Sequence, residues 1–159
     1  MPVLHLLCGK IAAGKSTLAQ TLAQAPGTLL ISEDRWLAAL YGDQMTDVAD
    51  YVRCSARLRT ALGDHVVALL RLGLSVVLDF PANTPPLRAW MMGLITASGA
   101  DHCLHLLDQS DAVCKQRLRH RNAGGEHDFA ATDAQFDAIT RHFSRPDPAE
   151  GFTVLIHET

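Results

Sequence analysis

The chain has 159 residues, enough for one domain with a single core. Hydrophobic residues make up 48% and charged residues 19%, a globular and not a disordered composition. A formal net charge of −3 argues against broad electrostatic capture of nucleic acid, which needs a basic surface.

In chain order, Val3 to Cys8 reads as a buried strand, followed by a glycine-containing loop and a helical pattern after Lys15. Thr28 to Ser32 is a second strand entered through Pro26-Gly27, with helical patterns from about Glu33 to Tyr41 and Val48 to Leu72. Leu74 to Phe80 is a third strand, broken by PANTPP before a helix around Leu87 to Ala97. His102 to Asp108 is a fourth strand. Then come a helix near Asp111 to Arg121, the loop NAGGEHDF, a helix near Asp133 to Phe143, irregular SRPDPAEG and a last strand, Phe152 to Glu158. Strands alternating with helices indicate a parallel α/β sheet covered on both faces, and no linker or repeat interrupts residues 1–159, so one domain is expected. No basic leader precedes the first strand and no apolar run reaches membrane-spanning length, so the expectation is a cytoplasmic protein without membrane contact. The four cysteines lack C-x-x-C spacing and read as reduced and structural, and the eight histidines show no zinc-ligand pattern.

Ligands of such sheets bind at the carboxyl ends of the strands, where Gly9, Asp34, Asp79 and Asp108 fall. His157 and Glu158, on the last strand, receive no role. Gly9-Lys10-Ile11-Ala12-Ala13-Gly14-Lys15-Ser16 matches G-x-x-x-x-G-K-[ST] in full, between a strand and a helix. The glycines let successive N–H groups turn toward phosphate oxygens, and the helix start adds its unpaired donors. Lys15 is expected on the β/γ-phosphates and Ser16 on Mg²⁺. The nucleotide grip is assigned to Gly9 through Thr17, with Lys10 at a free position of the motif and without a role of its own. No N-K-x-D string occurs, so a guanine-reading switch is disfavoured.

Three further clusters bear on the chemistry. In ISEDRW, Asp34 could take the proton of an acceptor hydroxyl, with Glu33 as the rival carboxylate. Ser32 could also cap the following helix and the two acids complement its dipole, and both readings hold together. In VVLDFPANT, Asp79 could organise Mg²⁺ or hydrogen-bond the acceptor, with Asn83 and Arg88 lining an acceptor pocket. In CKQRLRHRNAGG, Arg117 and Arg121 share a helix face while Arg119 points elsewhere, which suits a lid over the transferred phosphoryl group or a merely exposed basic helix end. Trp36 and Tyr41 could stack on an acceptor or pack in the core, and Arg53, Arg57 and Arg59 could form a short groove or a solvated face.

With these clusters placed, the chain resembles small P-loop kinases of the shikimate, gluconate and adenylate kinase type. It is most similar to the AAA_33 branch, with chloramphenicol phosphotransferase, zeta toxins and polynucleotide 5′-kinases as relatives. The resemblance implies a five-stranded parallel sheet in the order 2-3-1-4-5 with a small helical lid. It also implies ATP and Mg²⁺, Asp34 as general base, Arg117 and Arg121 as lid arginines, and Arg145 to Gly151 packed near the adenine. Relatives often read D-x-x-R where Leu37 stands here, with Arg35 beside the aspartate instead, and D-A-T-N where this chain has Asp79-Phe80-Pro81-Ala82-Asn83. Both departures fall on the acceptor side. The expectation is therefore a kinase acting on a hydroxyl of a small molecule, with Lys15, Asp34, Arg117 and Arg121 catalytic and Ser16 and Asp79 at the metal. A nucleic-acid end is disfavoured, an ATP-binding module regulating a partner is the alternative, and monomer and homodimer both remain open.

Overall fold

A computed structural model describes residues 1–124 and 132–158. The strands are β1 (Val3–Cys8), β2 (Thr28–Ser32), β3 (Ser75–Pro81), β4 (Asp101–Leu107) and β5 (Val154–His157). The helices are α1 (Lys15–Leu22), α2 (Glu33–Tyr41), α3 (Val48–Arg71), α4 (Pro85–Ser98), α5 (Asp111–Gly124) and α6 (Asp133–Thr140), with a 3₁₀ turn at Pro148–Glu150. All strands pair in parallel in the order β2-β3-β1-β4-β5, as the resemblance implies. The sequence expectations for residues 125–131, most of the NAGGEHDF loop, lie outside the described residues, as does Thr159.

Alternation along β1 splits the core. Leu4, Leu6 and Cys8 join Val76, Leu78 and Leu104 against α3 and α4, while Leu7 and Val77 face Ala19 of α1 on the other side. The helix α3 supplies Cys54, Leu58, Leu62, Val66 and Leu70 at four-residue intervals, one buried stripe against the sheet. A third cluster of Ala13, Leu107, Cys114, Leu118 and Phe136 joins the phosphate-loop motif to α5 and α6.

Several boundaries follow from local chemistry. Ser32 caps α2 by accepting from the Arg35 N–H at 3.4 Å, and Asp47 caps α3 by accepting from the Asp50 N–H at 2.8 Å. The fourth helix starts at Pro85, two residues before the expected Leu87, because proline suits the first helical position. The last strand has four residues where seven are expected. It lies at the sheet edge, paired to β4 alone, and Val154, Leu155 and Ile156 are exposed.

Three histidines link β1, β4 and β5. His5 Nδ1 lies 3.0 Å from His105 Nε2, and His105 Nδ1 lies 2.9 Å from His157 Nε2. Each ring is tilted by 30–35° against the next. Burial, aided by the two neighbouring imidazoles, pushes His105 down to about 4.

Candidate functional site

The segment between β1 and α1 forms a tight cup. Ala12 and Gly14 adopt left-handed backbone angles, φ 62° and 105°, which turn the chain back toward α1. Gly9 is hemmed in, since a Cβ there would sit 3.2 Å from both the Leu107 carbonyl oxygen and Ala13 Cβ. The Asn83 side chain clamps the same residue. Its Oδ1 accepts from the Gly9 N–H at 3.0 Å and its Nδ2 donates to the Gly9 carbonyl at 2.9 Å.

The Lys15 ammonium folds into this cup, donating to the Gly9 carbonyl at 2.5 Å and the Lys10 carbonyl at 2.9 Å. Burial pushes it down to about 8, against the pull of Asp79 and Asp34. Ser16 Oγ donates to Asp79 Oδ2 at 3.0 Å, so a hydroxyl and a carboxylate from α1 and β3 meet at the strand ends. Burial raises the Asp79 carboxyl, and the Asp34 charge adds to the effect, while Ser16, Lys15 and Arg35 oppose it. This oxygen pair fits a hard divalent cation such as Mg²⁺, which prefers carboxylate and hydroxyl oxygens.

Asp34 is exposed at the first turn of α2, and its charge is felt by Lys15, Asp79 and Arg121. Arg117 Nη1 donates to the Ala13 carbonyl at 3.3 Å, over the phosphate-loop motif. Arg121 is half-buried, lowered by burial and held up by Asp34, and its Nε has no hydrogen-bond partner among the described residues. Arg119 points away and pairs with Asp133 at 2.5 Å, as the helical spacing predicts. Lys10 turns outward to Asp111 at 2.6 Å. The expected residues thus converge at one end of the sheet.

Asn83 and Arg88 do not line an acceptor pocket, contrary to the expectation from sequence. Asn83 is spent on Gly9, and its own carbonyl accepts from the Ser144 N–H at 2.9 Å. Arg88 is 1% exposed. It pairs with Glu150 at 2.6 Å and donates to the Ala82 and Ser144 carbonyls, both at 2.9 Å, because a buried guanidinium must satisfy its fork of donors internally. Further bonds to Ser144 Oγ and the Arg145 carbonyl bind it to the segment before β5, where Arg145 in turn pairs with Asp108. Tyr41 packs against the core, and Trp36 is 41% exposed.

Glu33 is the residue sequence reasoning undervalued. It is 3% exposed and accepts from the Tyr51 hydroxyl and from Ser55 Oγ, the latter at 2.8 Å. Burial raises its carboxyl, the two hydroxyls oppose this, and Tyr51 is itself pushed upward by burial and by Glu33. Arg59 Nη1 donates to Ser55 Oγ at 2.8 Å. Tyr51, Ser55 and Arg59 stand four residues apart, a polar stripe on α3 that helical spacing makes visible.

The sheet order, the phosphate-loop motif and the parallel α/β layers define a P-loop kinase-like fold. The chain belongs to the AAA_33 family, whose sequence profile, described as an AAA domain, matches residues 4–146. A curated relative, the KTI12 homolog of Arabidopsis thaliana, is 27% identical over 150 residues, covering 91% of this chain and 48% of the relative. The chain therefore spans about half the length of that protein. Among solved structures, a candidate kinase from Chloroflexus aurantiacus superposes with a TM-score of 0.77 at 23% identity, covering 98% of this chain and 84% of that one. The Chaetomium thermophilum Kti12 structure with ADP-AlF3 gives 0.64 at 12% identity, covering 98% and 89%. The Mycobacterium tuberculosis APS kinase CysC with AMPPNP and APS gives 0.60 at 20% identity, covering 99% and 90%.

Proposed function

We propose that the protein is an ATP- and Mg²⁺-dependent phosphotransferase acting on a hydroxyl of a small molecule. The observation that carries this reading is the convergence of Lys15, the Ser16–Asp79 pair, Asp34 and two arginines at the carboxyl ends of the strands. The turned backbone of Gly9 to Gly14 and the Lys15 ammonium bind the phosphates of ATP, while Ser16 and Asp79 hold the metal. When bound, Mg²⁺ neutralises charge on the phosphate oxygens. Asp34 accepts the acceptor's proton as its hydroxyl oxygen bonds to the γ-phosphorus, and the bond to the leaving oxygen of ADP breaks. Arg121, half-buried and without a partner at Nε among the described residues, turns toward the charge developing on the transferred group, with Arg117 alongside.

A second reading, a nucleotide-driven module acting through a partner, draws on the exposed apolar residues Trp36, Leu40, Val48 and Val52 of α2 and α3. ADP release with Mg·ATP against pools of antibiotics, sugars, nucleosides and 5′-hydroxyl oligonucleotides separates the two. The kinase reading expects stimulation by one pool and a loss of about 10²-fold or more in Asp34→Asn, with ATP affinity retained. Acceptor-independent turnover that survives Asp34→Asn rejects it.

A further inference from the structure

The rings of His5, His105 and His157 bridge three strands on the α1 side of the sheet, and the proposed phosphoryl transfer uses none of them. His105 is 3% exposed, and both of its ring nitrogens face another imidazole. Of the six nitrogens in the chain, four form two pairs, His5 Nδ1 with His105 Nε2 at 3.0 Å and His105 Nδ1 with His157 Nε2 at 2.9 Å. His5 Nε2 and His157 Nδ1 are the outer two. Each pair holds one proton between its nitrogens, whichever tautomer supplies it. Three neutral rings carry three protons, so the third occupies one outer nitrogen. A fourth proton fills the other outer nitrogen, and the chain gains one positive charge with both bonds intact. A fifth finds only a paired nitrogen, and two N–H groups then point at each other.

The bond that gives way is the one to β5. His5 and His105 stand on neighbouring interior strands, paired from Val3–Asp101 to Cys8–Leu106. The edge strand β5 pairs with β4 alone, and its Val154, Leu155 and Ile156 are exposed, so little apolar burial holds it. The Leu104 N–H donates to the Thr153 carbonyl at 2.9 Å and the Asp108 N–H to the His157 carbonyl at 3.1 Å. By alternation, Leu155 and His157 direct their backbone groups at β4. The chain before β5 is anchored separately, Glu150 by Arg88 and Phe152 by packing against the core. Opening is therefore confined to the residues after Phe152.

Few other charges act on these rings. None of the ion pairs among the described residues includes them. On the same face α1 carries only Lys15, folded into the phosphate-loop motif. The charges of α5 and α6 are engaged elsewhere, Lys115 with Asp137, Arg119 with Asp133, Asp111 with Lys10, and Arg117 at the Ala13 carbonyl. Asp101 is exposed at the start of β4, Glu158 is exposed just past β5, and Cys103 is half-buried with its thiol raised by burial. His102 is the rival group, because its Nε2 accepts from the Thr153 N–H at 3.0 Å and a proton there removes that bond. Burial and the two neighbouring rings hold His105 at about 4, and burial lowers His5. With folded values below the ordinary 6.5, the closed strand is favoured above that pH and loses its advantage as the pH falls toward 4.

We propose that the three histidines form an acid-operated latch, which keeps β5 on β4 with no added proton or one, and releases the strand from Val154 onward when a second arrives. Release uncovers the edge of β4. It also takes the His157 carbonyl from the Asp108 N–H, at the end of the sheet that carries the phosphate-loop motif.

Amide exchange followed by NMR on the full chain from about pH 7.5 to 4.5 tests this, with rates corrected for intrinsic exchange and ring ¹⁵N shifts recording protonation. Each proton taken up on opening changes the opening constant about tenfold per pH unit. The wild type is expected to lose protection at the amides of residues 155 and 157 by about tenfold or more per pH unit, below the pH at which the chain takes its first added proton, while β1 and β3 keep theirs. His157→Gln keeps a hydrogen-bonding group against His105 but does not titrate. A second added proton then falls on the His5–His105 pair, and the pH dependence at β5 should vanish whatever its protection at neutral pH. His102→Gln keeps an acceptor for the Thr153 N–H and should leave the dependence in place. Wild-type protection at β5 that does not change with pH overturns the latch, as does a dependence that survives His157→Gln or is lost in His102→Gln. Equal loss of protection across all five strands overturns it too, since the strand would then open only with the whole domain.

Discussion

Replacing Arg88 by alanine tests how the end of β3 is held. The substitution removes the ion pair to Glu150 and leaves the Ala82 and Ser144 carbonyls without their donor. Losing one partner of a buried pair costs about 3–5 kcal/mol. Glu150 is partly exposed and can be rehydrated, which places the expectation toward the lower bound. Each buried carbonyl left unpaired adds about 1–3 kcal/mol unless water reaches it, and Ala82 is fully buried. The loss is thus about 4–6 kcal/mol, a large share of the about 5–15 kcal/mol that stabilises a typical domain. For a chain of this size it corresponds to a melting temperature lower by about 8–24 °C. Urea unfolding of the wild type, Arg88→Ala and Arg88→Lys measures it. Lysine keeps the charge but not the fork, so it should recover only part of the loss. An Arg88→Ala protein within about 1 kcal/mol of the wild type would refute the reasoning.

Two further predictions concern the other side chains that bridge strands. Asn83→Ala leaves the Gly9 N–H unpaired, while its carbonyl keeps the Lys15 ammonium, and should cost about 1–3 kcal/mol of stability together with a measurable loss of ATP affinity, and nucleotide titration with unchanged affinity would argue against the clamp. His105 has a folded value of about 4 against 6.5 for the ordinary group, so the unfolded chain binds more protons between these pH values. Stability should then fall as the pH drops from about 6.5 toward 4, by on the order of 3 kcal/mol, and His105→Leu should flatten that slope in unfolding curves taken across the range. A slope unchanged in the variant would exclude His105 as its source.

The order of elements was legible because two different periods carry it. Continuous apolar runs mark the buried strands, and the four-residue stripe of α3 marks the longest helix. The phosphate-loop motif was legible as a string because its backbone geometry demands particular residues at fixed spacing. What sequence could not supply was pairing at long range. Nothing in the local pattern distinguishes an Arg88 that reaches a ligand from one that reaches Glu150, 62 positions away. The same holds for Asn83 and Gly9, and for three histidines on three strands. Glu33 and Asp34 are chemically alike and adjacent, and only the rotation of α2 decides that the first is buried and the second exposed.

The anchorage at the end of β3 also bears on how such a scaffold can be re-purposed. Asn83 fastens the phosphate-loop motif, and five residues on, Arg88 fastens the segment before β5, which the kinase resemblance implies near the adenine. Both ends of the proposed donor cradle thus hang from one short stretch of chain, whereas Tyr51, Ser55 and Arg59 of α3 bond to Glu33 and to one another and to neither fastening. Substitutions on the exposed face of α3 would leave both fastenings in place. The joint works as a chassis, and α3 is the exchangeable part fitted to it.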